Sequence, residues 1–120
     1  MNKPEEPARA AGWSVGVNLD NVTVIHNEDV QQFELHVDGL RALLTYRRFP
    51  DRIVLAHTEV PPPLEGQGLA AKLARFALDF ARANRLRVVS LCPYVSSFIR
   101  KHTEYQDLVS SDDLQRLLSR

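Results

Sequence analysis

Three side chains stand out as candidate reactive groups: the thiol of Cys92, the imidazole of His57 and the carboxylate of Glu59. His57 and Glu59 are two residues apart in the β-rich run Ile53–Val60, so regular alternation puts them on one face. Cys92 follows a second β-rich run, Leu86–Leu91, and directly precedes Pro93. A cysteine beside an imidazole and at a helix start is held as thiolate, the reactive form. Free cysteine is also among the most buried residue types and often serves only as a small hydrophobe. His57 serves equally as a hydrogen-bonded strand residue, and Glu59 as a solvated charge near a strand end.

A second kind of chemistry is carried by Glu65-Gly66-Gln67-Gly68-Leu69-Ala70, which lies between a strand and a helix. Glycines there let the backbone approach a ligand closely, and the unpaired N–H groups of a helix's first turn favour anions such as a pyrophosphate. The same glycines also suit a plain helix start. A P-loop is excluded because no Gly-Lys-Ser/Thr follows and Lys72 is out of register. Gly66-x-Gly68-x-x-Ala71 matches a dinucleotide fingerprint in form only, since the next strand ends in Leu91-Cys92 without the acidic residue that holds a ribose.

These groups must be positioned by the elements around them. Val22–Ile25 reads as a short strand, Gln31–Val37 alternates, and Leu40–Tyr46 is again β-rich. Asp38-Gly39 between the latter two is a type I′ hairpin turn, and Phe49-Pro50-Asp51 turns the chain into Ile53–Val60. An antiparallel meander is therefore expected. Pro61-Pro62-Pro63 stops the last strand, and Leu69, Leu73, Phe76, Ala77, Phe80 and Ala81 then recur at helical spacing up to Asn84, whose side chain tolerates a left-handed helix end. With Leu86–Leu91 following, strand, helix and strand form a right-handed crossover whose parallel strands end at one sheet edge. That brings residues 57–59 and 92 together. Helices are expected over Pro93–Lys101 and Asp112–Ser119, with Tyr94, Phe98 and Tyr105 in the core and Lys101 and His102 solvated.

Composition bounds the rest. The 120 residues suit one domain, and 44% hydrophobic with 25% charged residues is a globular composition. The first 20 residues, with Pro4, Pro7 and no periodic apolar face, read as a flexible leader before a domain over 21–120. Fifteen basic residues balance fifteen acidic ones, which disfavours nucleic acid or a membrane surface as partner. Cys92 is the lone cysteine, and the four histidines lack metal-binding spacing, so no metal is expected. Without a signal peptide or a run near the ~18 apolar residues of a membrane span, a cytoplasmic setting is expected, as a monomer or weak dimer.

The glycine turn resembles the acetyl-CoA signature Gln/Arg-x-x-Gly-x-Gly/Ala of the GNAT superfamily, with Gly68 and Ala70 in the last two positions and Glu65 departing at the first. Together with His57-Thr-Glu-Val-Pro61, Leu91-Cys-Pro-Tyr94 and Glu104-Tyr-Gln-Asp-Leu-Val109, the chain over 22–109 closely resembles the small GNAT-like family known for its cysteine and glycine motif. The resemblance implies an α/β fold in which the meander leads into a splayed parallel strand pair with a crossover helix. It implies acetyl-CoA as co-substrate, with Glu65, Gly66, Gln67, Gly68, Leu69, Ala70 and Lys72 around the pyrophosphate and Thr58 and Val60 along the pantetheine. It places Cys92 at the active site, with His57 and Glu59 as candidate bases and Ile99 where larger relatives often carry an acid tyrosine. The implied activity is acetyl transfer to an amine by direct attack, with an acetyl-cysteine route as the variant. The chain lacks the N-terminal helices that shape acceptor pockets in larger GNAT enzymes, which points to a protein or peptide amine. A CoA-binding module without turnover, or a thiol-dependent CoA-thioester hydrolase, are the rival functions.

Overall fold

The computed structural model describes residues 16–119. Among them one sheet runs in chain order: β1 (Ile25–Asn27), β2 (Gln32–Val37), β3 (Leu40–Arg48), β4 (Arg52–Glu59) and β5 (Arg87–Ser90). The first four strands are antiparallel neighbours, and β5 pairs parallel with β4. The β2–β3 hairpin turns on Asp38 (φ 51°) and Gly39 (φ 80°), the two positive φ values a type I′ turn demands. The meander and the parallel pair are thus as expected, but the first strand starts later than Val22. Asn18 Oδ1 accepts from Asp20 N–H at 3.1 Å and caps a 3-10 turn, Leu19–Asn21, a local bond that competes with extended structure. The proposed leader covers residues 1–15, which lie outside the described residues, and also 16–20. Of these last, Val17 and Leu19 pack half-buried against the core.

Between β4 and β5 runs α1 (Leu69–Ala83), which packs across β2, β3, β4 and β5. Its buried stripe of Leu69, Leu73, Ala74, Ala77, Leu78 and Ala81 has the three- and four-residue spacing of one helix face. Opposite it the sheet buries Phe33, Leu35, Leu44, Ile53, Leu55 and Val88, all fully covered. Each such leucine is worth about 1.5–3 kcal/mol of removed apolar surface. The helix ends in a Schellman motif, with Leu86 N–H on Ala81 O at 2.8 Å and Arg85 N–H on Arg82 O at 3.2 Å. The left-handed residue is Arg85 (φ 56°), not Asn84, whose side-chain amide instead donates to Phe80 O at 2.8 Å.

After β5 come α2 (Pro93–Lys101), a 3-10 segment Thr103–Leu108 that the sequence did not announce, and α3 (Ser111–Leu118). Arg82 clasps the 3-10 segment to α1 through both Asp107 oxygens at 2.9 Å and Glu104 O at 2.8 Å. Ser110 Oγ caps α3 at Asp113 N–H, 3.2 Å away. Phe98 and Tyr105 are in the core as expected, whereas Tyr94 is 38% exposed.

Candidate functional site

Pairing of β4 with β5 stops at Leu55↔Ser90, with a last bond from Leu91 N–H to Leu55 O at 2.9 Å. The strand β4 continues to Glu59, so residues 56–59 and Leu91-Cys92-Pro93 form the two sides of an opening between parallel strand ends. Crossing the opening, Thr58 Oγ1 lies 3.3 Å from Cys92 Sγ. Cys92 is only 3% exposed and caps α2, with its carbonyl held by Ser96 N–H at 2.9 Å and Ser90 Oγ at 3.2 Å. Pro93 at the first helical position costs α2 no hydrogen bond.

His57 does not stand beside the thiol. Thr45 faces His57 but Tyr46 faces Leu55, so Ala56 is an extra residue, a bulge in β4. Alternation therefore shifts by one: Leu55 shares the buried face with Tyr46, Thr58 shares it with Leu44, and His57 and Glu59 turn to the opposite face. There His57 Nε2 sits 3.0 Å from Glu59 Oε2, both more than half exposed. The Cys92 thiol and the His57–Glu59 pair thus lie on opposite sides of β4. The expected sharing of a face by His57 and Glu59 holds, while the contact to Cys92 belongs to Thr58. Sequence reasoning assigned Thr58 only a backbone role; a hydroxyl one residue from His57 was the signal, and the bulge gave it meaning.

The glycine turn leaves β4 through the 3-10 turn Pro62–Leu64. Gly66 (φ 78°) and Gly68 (φ 87°) both take left-handed backbone, and Gly68 is the N-cap of α1. The first α-helical bond is Lys72 N–H to Gly68 O at 3.0 Å, so the N–H groups of Leu69, Ala70 and Ala71 precede it and have no helical acceptor. Three aligned amides on a helix N-terminus, reached through two glycines, fit the pyrophosphate of a CoA-type ligand. Glu65 is exposed beside them and Val60 half-buried.

Lys72 departs from expectation. Its ammonium is bound by the carbonyls of Leu19 and Val22, so it ties the N-terminal segment to α1 instead of facing a phosphate. Gln67 Oε1 likewise accepts from Val17 N–H at 2.9 Å, and a Cβ on Gly68 would come within 2.9 Å of Leu19 Cδ1. Residues 17–22 therefore form one wall of the turn, a role that no periodicity in them signalled. Near the thiol, burial pushes the Tyr94 phenol up from its ordinary value, with the Cys92 charge adding to it. Ile99 is fully buried, so no phenol occupies that position. Among the described residues no group of three or more His, Cys, Asp or Glu side chains converges on a metal-sized point, and no helix is long and apolar enough to cross a membrane.

Residues 32–108 match the sequence pattern of the family described as GCN5-related N-acetyl-transferase. The cattle (Bos taurus) Protein NATD1 is 38% identical over 84 residues, 68% of this chain and 74% of that protein. The zebrafish (Danio rerio) Protein NATD1 is 31% identical over 107 residues, 85% of this chain and 97% of that protein. The solution structure of a GCN5-like protein from Staphylococcus aureus superposes with a TM-score of 0.59 at 32% identity, covering 75% of this chain and 89% of that one.

Proposed function

The chain belongs to the GCN5-related N-acetyltransferase family, and from that premise we propose that it transfers the acetyl group of acetyl-CoA to an amine on a protein or peptide. The observation that carries this reading is the continuity of the Gly66–Gly68 turn, the free first-turn amides of α1 and the opening between β4 and β5 that ends on Cys92. Acetyl-CoA, when bound, supplies an acyl carbon for the amine to attack and a thiolate to leave. The first-turn amides of Leu69, Ala70 and Ala71, reached through Gly66 and Gly68, would hold its diphosphate, and the backbone of Thr58 to Val60 would line its pantetheine.

A lysine amine has a pKa near ~10.4 and must lose a proton to attack. With His57 Nε2–H donating to Glu59 Oε2, His57 Nδ1 carries the lone pair that accepts that proton, and the Glu59 carboxylate stabilises the resulting imidazolium. From the other side of β4, Cys92 Sγ–H donates to the departing sulfur, oriented by Thr58 Oγ1. In this assignment the amine attacks the acyl carbon directly and no acetyl-cysteine forms.

The test is thermal unfolding with acetyl-CoA against NAD, on the wild type and Cys92→Ala. At ~100 times its dissociation constant a ligand adds about 2.7 kcal/mol, several degrees for a chain of this size. Wild type and Cys92→Ala should both shift with acetyl-CoA alone, and Cys92→Ala should acetylate a lysine peptide at least ~10-fold more slowly. Absence of a shift at millimolar acetyl-CoA sinks the proposal. Free CoA released at equal rate without any amine favours the hydrolase instead, and binding without turnover in both forms favours the module.

A further inference from the structure

The end of the sheet away from Cys92 carries a pocket of its own. Helix α1 has 15 residues, about 22 Å of rise, so its C-terminal end stands far from the glycine turn. There Asp51, Arg82, Arg85, Leu86, Arg87 and Asp107 line an open pocket of about 350 Å³. Leu86 is buried, and the arginines on either side of it are exposed. Both carboxylates are already engaged, Asp107 with Arg82 at 2.9 Å and Asp51 with Arg52 at 3.2 Å. Arg52 also lies over the Phe49 ring, 4.2 Å from its centroid. Arg85 and Arg87 have no side-chain hydrogen bond or ion pair among the described residues. Four guanidiniums thus meet two carboxylates, and two positive charges are left unmatched.

The end of α1 does not absorb them. Phe80 O accepts from Asn84 N–H and its side-chain amide, Ala81 O from Leu86 N–H and Arg82 O from Arg85 N–H, so backbone and Asn84 satisfy these carbonyls. The remaining helix dipole amounts to about half a charge. Two local choices here also run against stability. Arg85 takes φ 56° at a helix end where glycine or asparagine is the favoured residue. Arg87 stands directly across the parallel ladder from Arg52, which sets like charges side by side. Packing accounts for neither, because both side chains are exposed; what Arg85 and Arg87 share is the pocket. Two planar guanidinium forks match the oxygens of a phosphate, and two unmatched charges balance its dianion, whereas a single carboxylate leaves one over.

We propose that the pocket between Arg85 and Arg87 binds a phosphate dianion, carried on a small molecule or on a phosphorylated side chain. The site is independent of the acetyl-CoA reading, since it lies at the opposite end of α1 from the first-turn amides.

The probe is inorganic phosphate titrated into the 15N-labelled chain, with ionic strength held at ~0.15 M by sodium chloride and acetate as the control anion. The amides of Asp51, Arg85, Leu86 and Arg87 should shift saturably at millimolar phosphate and not with acetate. Arg87→Gln should weaken phosphate at least ~5-fold, and Arg116→Gln, far from the pocket, should leave it unchanged. Arg85→Gly keeps the left-handed backbone without a guanidinium, so it should melt no lower than wild type yet also lose at least ~5-fold in phosphate affinity. A blocked phosphoserine peptide binding ~10-fold tighter than inorganic phosphate assigns the source to a phosphorylated chain, and equal binding assigns it to a small phosphate. Saturating acetyl-CoA should leave the phosphate titration unchanged, and phosphate shifts that persist when acetyl-CoA does not bind keep the site while removing the transferase reading. Equal shifts with acetate, shifts confined to other residues, displacement of phosphate by acetyl-CoA, or unaltered affinity in both arginine variants would each overturn the proposal. If either variant does not fold, phosphate against acetate on the wild type decides alone.

Discussion

At the scale of single residues, what matters is which side of β4 each group takes. Cys92 and the glycines were legible in the sequence because their chemistry depends on residue type: a thiol reacts as a thiol, and a left-handed backbone selects glycine. The company of Cys92 was not legible, since counting alternate residues from Leu55 carries His57 to the core face, and the extra residue at Ala56 reverses that. The two glycines are separable by experiment. Gly66→Ala meets no atom within 4 Å and should pay only the left-handed penalty, about 1–2 kcal/mol. Gly68→Ala pays the same and also drives Leu19 aside from a contact of 2.9 Å, so urea denaturation should rank it the more destabilised. The reverse ranking would mean that Leu19 does not rest on the turn.

At the scale of elements, the helix α1 is held at both ends by segments that carry little regular structure. Its C-terminal half is clasped by Arg82 to the 3-10 segment Thr103–Leu108, and its N-terminal turn is clasped by Lys72 to residues 19 and 22. Lys72→Met removes an ammonium shared by two carbonyls and should cost about 1.5–3 kcal/mol, with hydrogen exchange rising at residues 17–22 and unchanged in the middle of α1. Because that ammonium is engaged away from the amides of the turn, acetyl-CoA should stabilise Lys72→Met as much as the wild type. A loss of acetyl-CoA affinity beyond ~10-fold in this variant would show that the ammonium reaches the ligand after all.

At the scale of the molecule, a chain of zero formal charge shows its electrostatics through a few sheltered groups. His26 packs against the rings of Phe33, Tyr46 and Phe80, and burial holds its imidazole below the ordinary 6.5. The unfolded chain takes that proton first, so stability falls as pH drops below 6.5 toward the folded value. Glu34 is 3% exposed and accepts from Gln32, His36 and Asn27, bonds that hold its carboxyl below the ordinary 4.5. Its contribution is complete above 4.5 and is lost as pH falls through the folded value. Burial raises Tyr46, Tyr94 and Tyr105 above 10.0, so stability also falls as pH rises past 10.0. Melting temperature against pH should therefore show a plateau from about 6.5 to 10, a first descent on the acid side that His26→Gln abolishes, and a second below 4.5. A single acid descent unchanged in His26→Gln would place the coupling elsewhere.

By itself the sequence determined the order and kind of the main elements, the hairpin at Asp38-Gly39, the crossover and the residue types at the strand ends, because these depend on periodicity and local backbone preference within a few positions. Only the tertiary structure decided the bulge at Ala56, the contact of Thr58 with Cys92 and the capture of Lys72 by the chain near residue 20. Each of those joins residues far apart in the chain or depends on strand register, and register is set when the sheet closes on α1.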